Sequence, residues 1–250
     1  METVFVTDVG RVRDHNEDTG GIFTNNAGEY LAIVADGMGG HQAGDVASDM
    51  VTNILREAWE PIDKPFTPEQ AEVWLRQHID IANKKIYETS VENDKLAGMG
   101  TTVVTAVCTS SFIVIAHVGD SRAYHMSETA FQLKTEDHSL VNELKNSGQI
   151  TEEEAENHPR KNVLTRAIGT EQEIKSEAMA MEWKAGEGIV LCSDGLTNKV
   201  IPSEIKENLH TPASLHERAR TLIHIANERG GEDNITLAII IYSPLDKEVE

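Results

Sequence analysis

A chain of 250 residues with 42 acidic and 22 basic side chains, net charge -20, lacks the basic footprint that a general nucleic-acid or anionic-lipid binder needs. With 39% hydrophobic and 26% charged residues it has an ordinary globular mixture, long enough for one well-buried domain or two small ones. Its two cysteines, Cys108 and Cys192, lie in apolar runs and are followed six positions later by Val114 and Asn198 rather than arginine, which removes both a disulfide framework and a cysteine-nucleophile phosphate loop.

The first residues meet acidic charges at Glu2 and Asp8 and have no basic start with an apolar core, so no secretory signal is expected. No run approaches the roughly 20 apolar residues of a membrane span. Together these predict a cytoplasmic chain that does not insert in a membrane. In chain order, β-branched and apolar runs predict strands at 3–9 and 30–35. Val46, Ala47, Met50, Val51, Ile54, Leu55 and Ala58 then mark an amphipathic helix. A second helix opens at Pro68 and carries Trp74, Leu75, His78, Ala82 and Ile86 on one stripe, with His78 read as structural. Strands at 101–108 and 112–118, three residues apart, predict an antiparallel hairpin, followed by a weaker strand at 122–125. A strand at 188–193, a helix through Leu215, Ala219, Leu222, Ile223 and Ala226, and a strand at 235–242 complete the order. There is no linker-like tract and no repeat, so one domain over 1–250 is expected, and the grouping of strands predicts an α+β fold.

The informative pattern is the placement of aspartates. Asp36 ends LAIVA before glycine, Asp120 ends FIVIAHVG, Asp194 ends IVLCS before Gly195, Asp233 precedes ITLAIIIY, and Asp18 closes Asn16-Glu17-Asp18 after the first strand. Singly, each reads as a turn residue. Together, five carboxylates brought to one sheet edge would repel one another unless cations lay between them. Oxygen-only ligands select hard cations, Mg²⁺ or Mn²⁺. Glycine at position 37 lets a backbone carbonyl come close to an ion. Arg13 is the natural phosphate partner, because guanidinium grips two phosphate oxygens in a fork. Arg122 reads as a brace for an acidic neighbour. HExxH and GxxxxGK[ST] are absent, and the glycines at 37 and 39 are followed by Gln42, not a third glycine.

These motifs resemble one family. Asp8-Val9-Gly10 with Arg13 and Asn16-Glu17-Asp18, then Ala35-Asp36-Gly37-Met38-Gly39-Gly40-His41, Gly98-Met99-Gly100-Thr101-Thr102, Gly119-Asp120-Ser121-Arg122, Ser193-Asp194-Gly195-Leu196-Thr197 and Glu232-Asp233-Asn234-Ile235-Thr236 stand in the order of the metal-dependent protein phosphatases of the PPM class, also called the protein phosphatase 2C family. The ordered set is specific where each block alone is not, and the short bacterial form without added domains is the most similar. The resemblance implies a β-sandwich of two antiparallel sheets flanked by helices on both outer faces.

It also implies a site and a chemistry. Asp36 would bridge two Mn²⁺ or Mg²⁺ ions, the Gly37 carbonyl would bind one, and Asp194 and Asp233 would complete the pair, with Asp18 touching it mainly through water. Asp120 with Asp194 would hold a third, weaker ion; Arg13 would hold the substrate phosphate; Glu17 and Asn234 would orient waters behind the ligands. The implied reaction is one-step hydrolysis of phosphoserine or phosphothreonine by a metal-activated water, with phosphorylated proteins as substrates and a membrane-anchored Ser/Thr kinase as opponent. Without coiled-coil heptads, a monomer is expected. Met38 stands where the eukaryotic branch has a histidine proposed as general acid, leaving a metal-bound water or His41 as proton donor. Residues 138–169 align with a flap beside the catalytic edge. A non-catalytic relative should lack one of these residues. A metal-dependent nuclease or nucleotide phosphohydrolase fits the net charge poorly.

Overall fold

In the computed structural model, which describes residues 1–39 and 43–243, two antiparallel sheets stack face to face and helices cover their outer faces. The elements run β1 (Glu2–Asp8), β2 (Asp18–Thr24), β3 (Tyr30–Met38), α1 (Ala43–Trp59), α2 (Pro68–Glu92), β4 (Gly100–Thr101), β5 (Val103–Cys108), β6 (Phe112–Val118), β7 (Arg122–Met126) and β8 (Phe131–Leu133). There follow α3 (Leu140–Asn146), α4 (Glu152–Glu156), β9 (Glu177–Glu182), β10 (Gly188–Cys192), α5 (Asp194–Thr197), α6 (Pro202–Leu209), α7 (Leu215–Glu228) and β11 (Ile235–Ile241). One sheet has the order β1-β11-β10-β7-β8; the other has β2-β3-β5-β6-β9, with β4 also on β3.

The apolar runs of the central strands follow from burial on both faces. Along β3, Leu31, Ile33 and Ala35 point outward into a core with α1 and α2, while Ala32 and Val34 point inward between the sheets. Along β10 and β11, Val190, Cys192, Ile235, Leu237 and Ile239 face the core with α6 and α7. Ile189, Leu191, Ala238 and Ile240 of the same strands face inward. A strand buried on both sides has no polar face to alternate with, which is why these segments read as continuous hydrophobic stretches. The helix stripes expected from the sequence meet the same cores: Ala47, Val51 and Leu55 from α1 with Leu75, Ile79, Ala82 and Ile86 from α2, and Leu215, Ala219 and Leu222 from α7. At the start of α2, Thr67 accepts from the Gln70 N–H at 3.3 Å and Gln70 accepts from the Thr67 N–H at 2.9 Å, a reciprocal cap. His78 stacks on Trp74 and bonds its carbonyl at 2.8 Å, the structural role expected of it.

Several elements differ from expectation. The strand at 101–108 divides into β4 and β5 because Thr102 turns both its N–H and its hydroxyl onto the Asp36 backbone. β2 escapes periodicity: Gly20 and Gly21 leave its pattern blank, and a Cβ on Gly20 would meet the Phe5 ring at 3.0 Å. Asp18, expected only to follow the first strand, is therefore the first residue of a strand of its own, β2, opposite Asp36. The edge strands β8 and β9 carry mostly exposed or half-exposed side chains and so give little hydrophobic signal. Cys108 and Cys192 are buried, unbridged thiols whose burial pushes both pKa values up. Gly40 and His41 lie outside the described residues.

Because Leu191 is fully buried between the two sheets, Leu191→Ala should lower the unfolding free energy by about 2–5 kcal/mol, read by urea denaturation; a loss near zero would contradict a packed inter-sheet core.

Candidate metal centre

Strand register carries all five aspartates to one edge of the sandwich. Asp18 and Asp36 are cross-strand partners in β2 and β3. In the other sheet Cys192 pairs with Arg122, so Asp194, two residues past Cys192, and Asp120, two before Arg122, overhang the same end. Asp8 pairs with Ile235 there, which places Asp233 at that end too, two residues before the start of β11. The two sheets thus deliver their carboxylates against one another.

The electrostatics report the crowding. Desolvation, then the charges of Asp18, Asp194, Asp120 and Asp233, push the Asp36 carboxyl well above its ordinary range. Desolvation and the charge of Asp194 push Asp120 up to about 8. Desolvation lifts Asp18 to about 7, with Asp194 and Asp233 adding to the rise against hydrogen bonds from Ser193 and Thr236. Asp194 is raised for the same reason, desolvation first and Asp233 next. Two buried carboxylate oxygens, Asp18 Oδ1 and Asp194 Oδ1, accept no hydrogen bond. Buried anionic oxygens without donors, in a group of like charges, are what a cation site offers.

The supporting contacts are specific. Asp36 donates its N–H to Thr102 Oγ1 at 3.0 Å, and that hydroxyl shares a 2.7 Å hydrogen bond with Ser121. Asn198 Nδ2 donates to Asp194 Oδ2 at 3.0 Å, leaving Oδ1 for the site. Arg13 Nη2 donates to Asp233 Oδ2 at 2.9 Å, so the expected phosphate arginine stands against a carboxylate of the cluster. Asn234 uses its side-chain amide on the chain: Nδ2 donates to Val9 O at 2.9 Å and His15 O at 3.1 Å, and Oδ1 accepts from the Glu17 N–H at 2.8 Å. Glu17 in turn accepts the Gly37 N–H at 3.1 Å and the Ser48 hydroxyl at 2.6 Å on its carbonyl. Both thereby fix the loop that carries Arg13. Gly37 has a further reason to be glycine: a Cβ there would strike the backbone of Gly44 and lie 2.6 Å from the Glu17 carbonyl oxygen. Arg122 braces Asp137 through two of its nitrogens, with Nη2 2.6 Å from Oδ2. Met38, at the end of β3, is exposed.

Beside Asp120 and Asp194 opens a cleft of about 520 Å³, between residues 137–162 and 194–202, with Arg122, Lys145 and Lys161 among its walls. The base of the 138–169 segment is pinned by a bridge between Ser139 and Leu164.

A separate trio, His117, His138 and Glu177, brings potential ligands within 4.8 Å of one another. Its own hydrogen bonds argue against a metal there. The Gly119 N–H donates to His138 Nδ1 at 3.1 Å, which puts the proton of a neutral ring on Nε2, 3.2 Å from Glu177. Desolvation and the neighbouring His117 and Arg166 hold His138 down at about 4. Arg166 Nη1 reaches Glu177 Oε1 at 2.9 Å and supplies the cation.

The sequence did not single out Ser193, Thr236, Thr102 or Asp137 as working residues. The available signal was a hydroxyl at a buried position beside an aspartate.

Comparison with known proteins agrees with this geometry. The family model described as Protein phosphatase 2C matches residues 11–236. The serine/threonine phosphatase stp of Listeria welshimeri is 46% identical over 96% of this chain and 95% of its own. The crystal structure of the serine/threonine phosphatase Stp1 from Staphylococcus aureus superposes with a TM-score of 0.92 at 39% identity, covering 97% of this chain and 95% of that one. The catalytic domain of the serine threonine protein phosphatase PstP, solved in complex with two manganese ions, superposes with a TM-score of 0.84 at 31% identity, covering 97% and 98%.

Metal-free protein should lose stability as pH rises from about 4 through about 8, because Asp18 and Asp120 bind their protons more tightly folded, near 7 and 8, than at the ordinary 3.8. Urea midpoints in EDTA should fall between about pH 5 and about pH 8.5, and Mn²⁺ should restore the loss at the higher pH. A midpoint indifferent to Mn²⁺ at the higher pH would contradict the cluster as a cation site.

Proposed function

The chain belongs to the protein phosphatase 2C family, and from that membership together with its carboxylate edge we propose how it works as a metal-dependent phosphatase acting on phosphoserine and phosphothreonine in proteins. The observation that carries the assignment of residues is the convergence of Asp18, Asp36, Asp120, Asp194 and Asp233, with buried oxygens of Asp18 and Asp194 left without donors.

On this reading Asp36, the Gly37 carbonyl, Asp194 and Asp233 hold two cations, Mn²⁺ or Mg²⁺, with Asp18 beside them. Asp120 and Asp194 hold a third, weaker one. When bound, such ions lower the pKa of water and withdraw charge from the phosphoryl oxygens. Arg13 grips the phosphate, with its guanidinium oriented by Asp233 at 2.9 Å. Asn234 and Glu17 keep the Arg13 loop in register with the start of β11. Met38 has no proton to give, so the leaving oxygen takes its proton from water. The cleft beside Asp120 receives the polypeptide around the phosphorylated residue, and residues 138–169 bias substrate choice as a flap over it. No described helix is long and apolar enough to cross a membrane. We read the chain as one catalytic domain over 1–250, monomeric and cytoplasmic, acting on phosphoproteins made by a membrane-anchored Ser/Thr kinase.

The test is hydrolysis of phosphothreonine and phosphotyrosine peptides with Mn²⁺, with Mg²⁺ and with EDTA. Metal-dependent turnover that favours phosphothreonine and vanishes in EDTA is expected; no turnover by folded protein with either metal would overturn the reading. Among variants, Asp36→Ala and Asp194→Ala should abolish turnover with the circular-dichroism spectrum unchanged. Arg13→Ala should cost about 10–100-fold in kcat/KM, mainly through KM, since it removes one charged phosphate contact. Asp120→Ala should lower turnover at limiting Mn²⁺; equal activity at every Mn²⁺ concentration would make the third site dispensable.

A further inference from the structure

Asp18 is held by a hydroxyl at the margin of the opposite sheet, with two further hydroxyls of that sheet behind it. Ser193 Oγ donates to Asp18 Oδ2 at 2.7 Å. That hydroxyl also accepts the Thr236 N–H at 3.0 Å, which turns its own proton toward the carboxylate. Thr7 and Thr236 are cross-strand partners in β1 and β11, their hydroxyls 2.7 Å apart. Asn16 Nδ2 donates to Thr7 Oγ1 at 2.7 Å, and Asn16 Oδ1 accepts the Asp18 N–H at 3.1 Å. Asn16 thus donates to Thr7, whose hydroxyl shares a hydrogen bond with Thr236, and the Thr236 hydroxyl lies close enough to favour the charged form of the Asp18 carboxylate. Ser193 and Thr236 are fully buried, and Asp18 is 5% exposed.

The outcome is asymmetric. One Asp18 oxygen, Oδ2, takes the Ser193 hydroxyl proton, and the other, Oδ1, is buried without a hydrogen bond. A carboxylate free to rotate could offer either oxygen to a cation. One pinned on Oδ2 offers only Oδ1, in one direction.

We propose that Ser193 and Thr236, backed by Thr7 and Asn16, are positioning residues that lock Asp18 so that Oδ1 alone faces the cations. The Ser193–Asp18 hydrogen bond also crosses from one sheet to the other, since Asp18 begins β2 while Ser193 directly follows β10. Cation affinity is thereby tied to the seating of the sheets. Partners of this kind that orient a metal ligand typically contribute 10–100-fold in affinity, which sets the expected size of the effect.

The inference rests on the reading of the carboxylate edge as a cation site, and the experiment separates the two. Mn²⁺ binding is measured by isothermal titration calorimetry on the wild type, Asp18→Ala, Ser193→Ala, Thr236→Val and Thr236→Ser, with thermal melts of each in EDTA. Valine keeps the shape of threonine without its hydroxyl, and serine keeps the hydroxyl. Thr236→Val and Ser193→Ala should each weaken Mn²⁺ binding about 10-fold or more, Thr236→Ser should recover most of it, and KM for phosphopeptide at saturating Mn²⁺ should not move. Wild-type Mn²⁺ affinity in Thr236→Val and Ser193→Ala, with only the melting temperature lowered, would reduce the hydroxyls to a structural clamp and overturn the proposal alone. A wild type that binds no Mn²⁺ would overturn the cation reading, and the proposal with it.

Discussion

Carboxylates forced together at the edge of two apolar sheets repel, and that repulsion is the constraint on which the rest of the structure depends. Asp36 feels the charges of four other aspartates while most of its surroundings are protein. Hydrophobic burial between and outside the sheets is what holds those strand ends in place, because every strand that presents an aspartate is anchored by apolar side chains on both faces. A shell of donors offsets part of the cost of the crowded edge: Thr102 on the Asp36 backbone, Asn198 on Asp194, Arg13 on Asp233 and Ser193 on Asp18; the proposed cations would offset the rest.

The distribution of these donors explains how a strongly acidic protein handles an anionic substrate. Arg13 is paired with a carboxylate of the cluster rather than held on the remote surface, so the guanidinium proposed to grip the phosphate also tempers the carboxylates. The basic residues of the adjacent cleft, Lys145 and Lys161, stand beside acidic groups, which keeps the local field mixed. The His117, His138 and Glu177 junction contrasts with the aspartate edge: its hydrogen bonds are closed among protein groups, and Arg166 already provides the positive charge.

Much of this was legible in the sequence because the decisive residues sit at the ends of strands buried on both faces. Runs such as LAIVA before Asp36 and IVLCS before Asp194 state both the strand and its terminus. Strand β6 was read to the residue, and the hairpin with β5 follows from the three residues between them. What escaped reading has physical causes. β2 carries paired glycines where backbone packs closely, so the sequence places Asp18 after the first strand without revealing the strand that it opens. β8 and β9 are edge strands with little buried surface. Ser193 and Thr236 stood inside motifs already noted, but only the register of β1 with β11 and the approach of the second sheet turn them toward Asp18.

The most direct test of the central claim is anomalous diffraction at the manganese edge from crystals grown with Mn²⁺. At least two peaks are expected within coordination distance, about 2.0–2.3 Å, of the carboxylates, with Asp36 shared between two of them and Asp194 and Asp233 completing the pair. Peaks confined to the His117, His138 and Glu177 junction, or none at the aspartate edge, would contradict it.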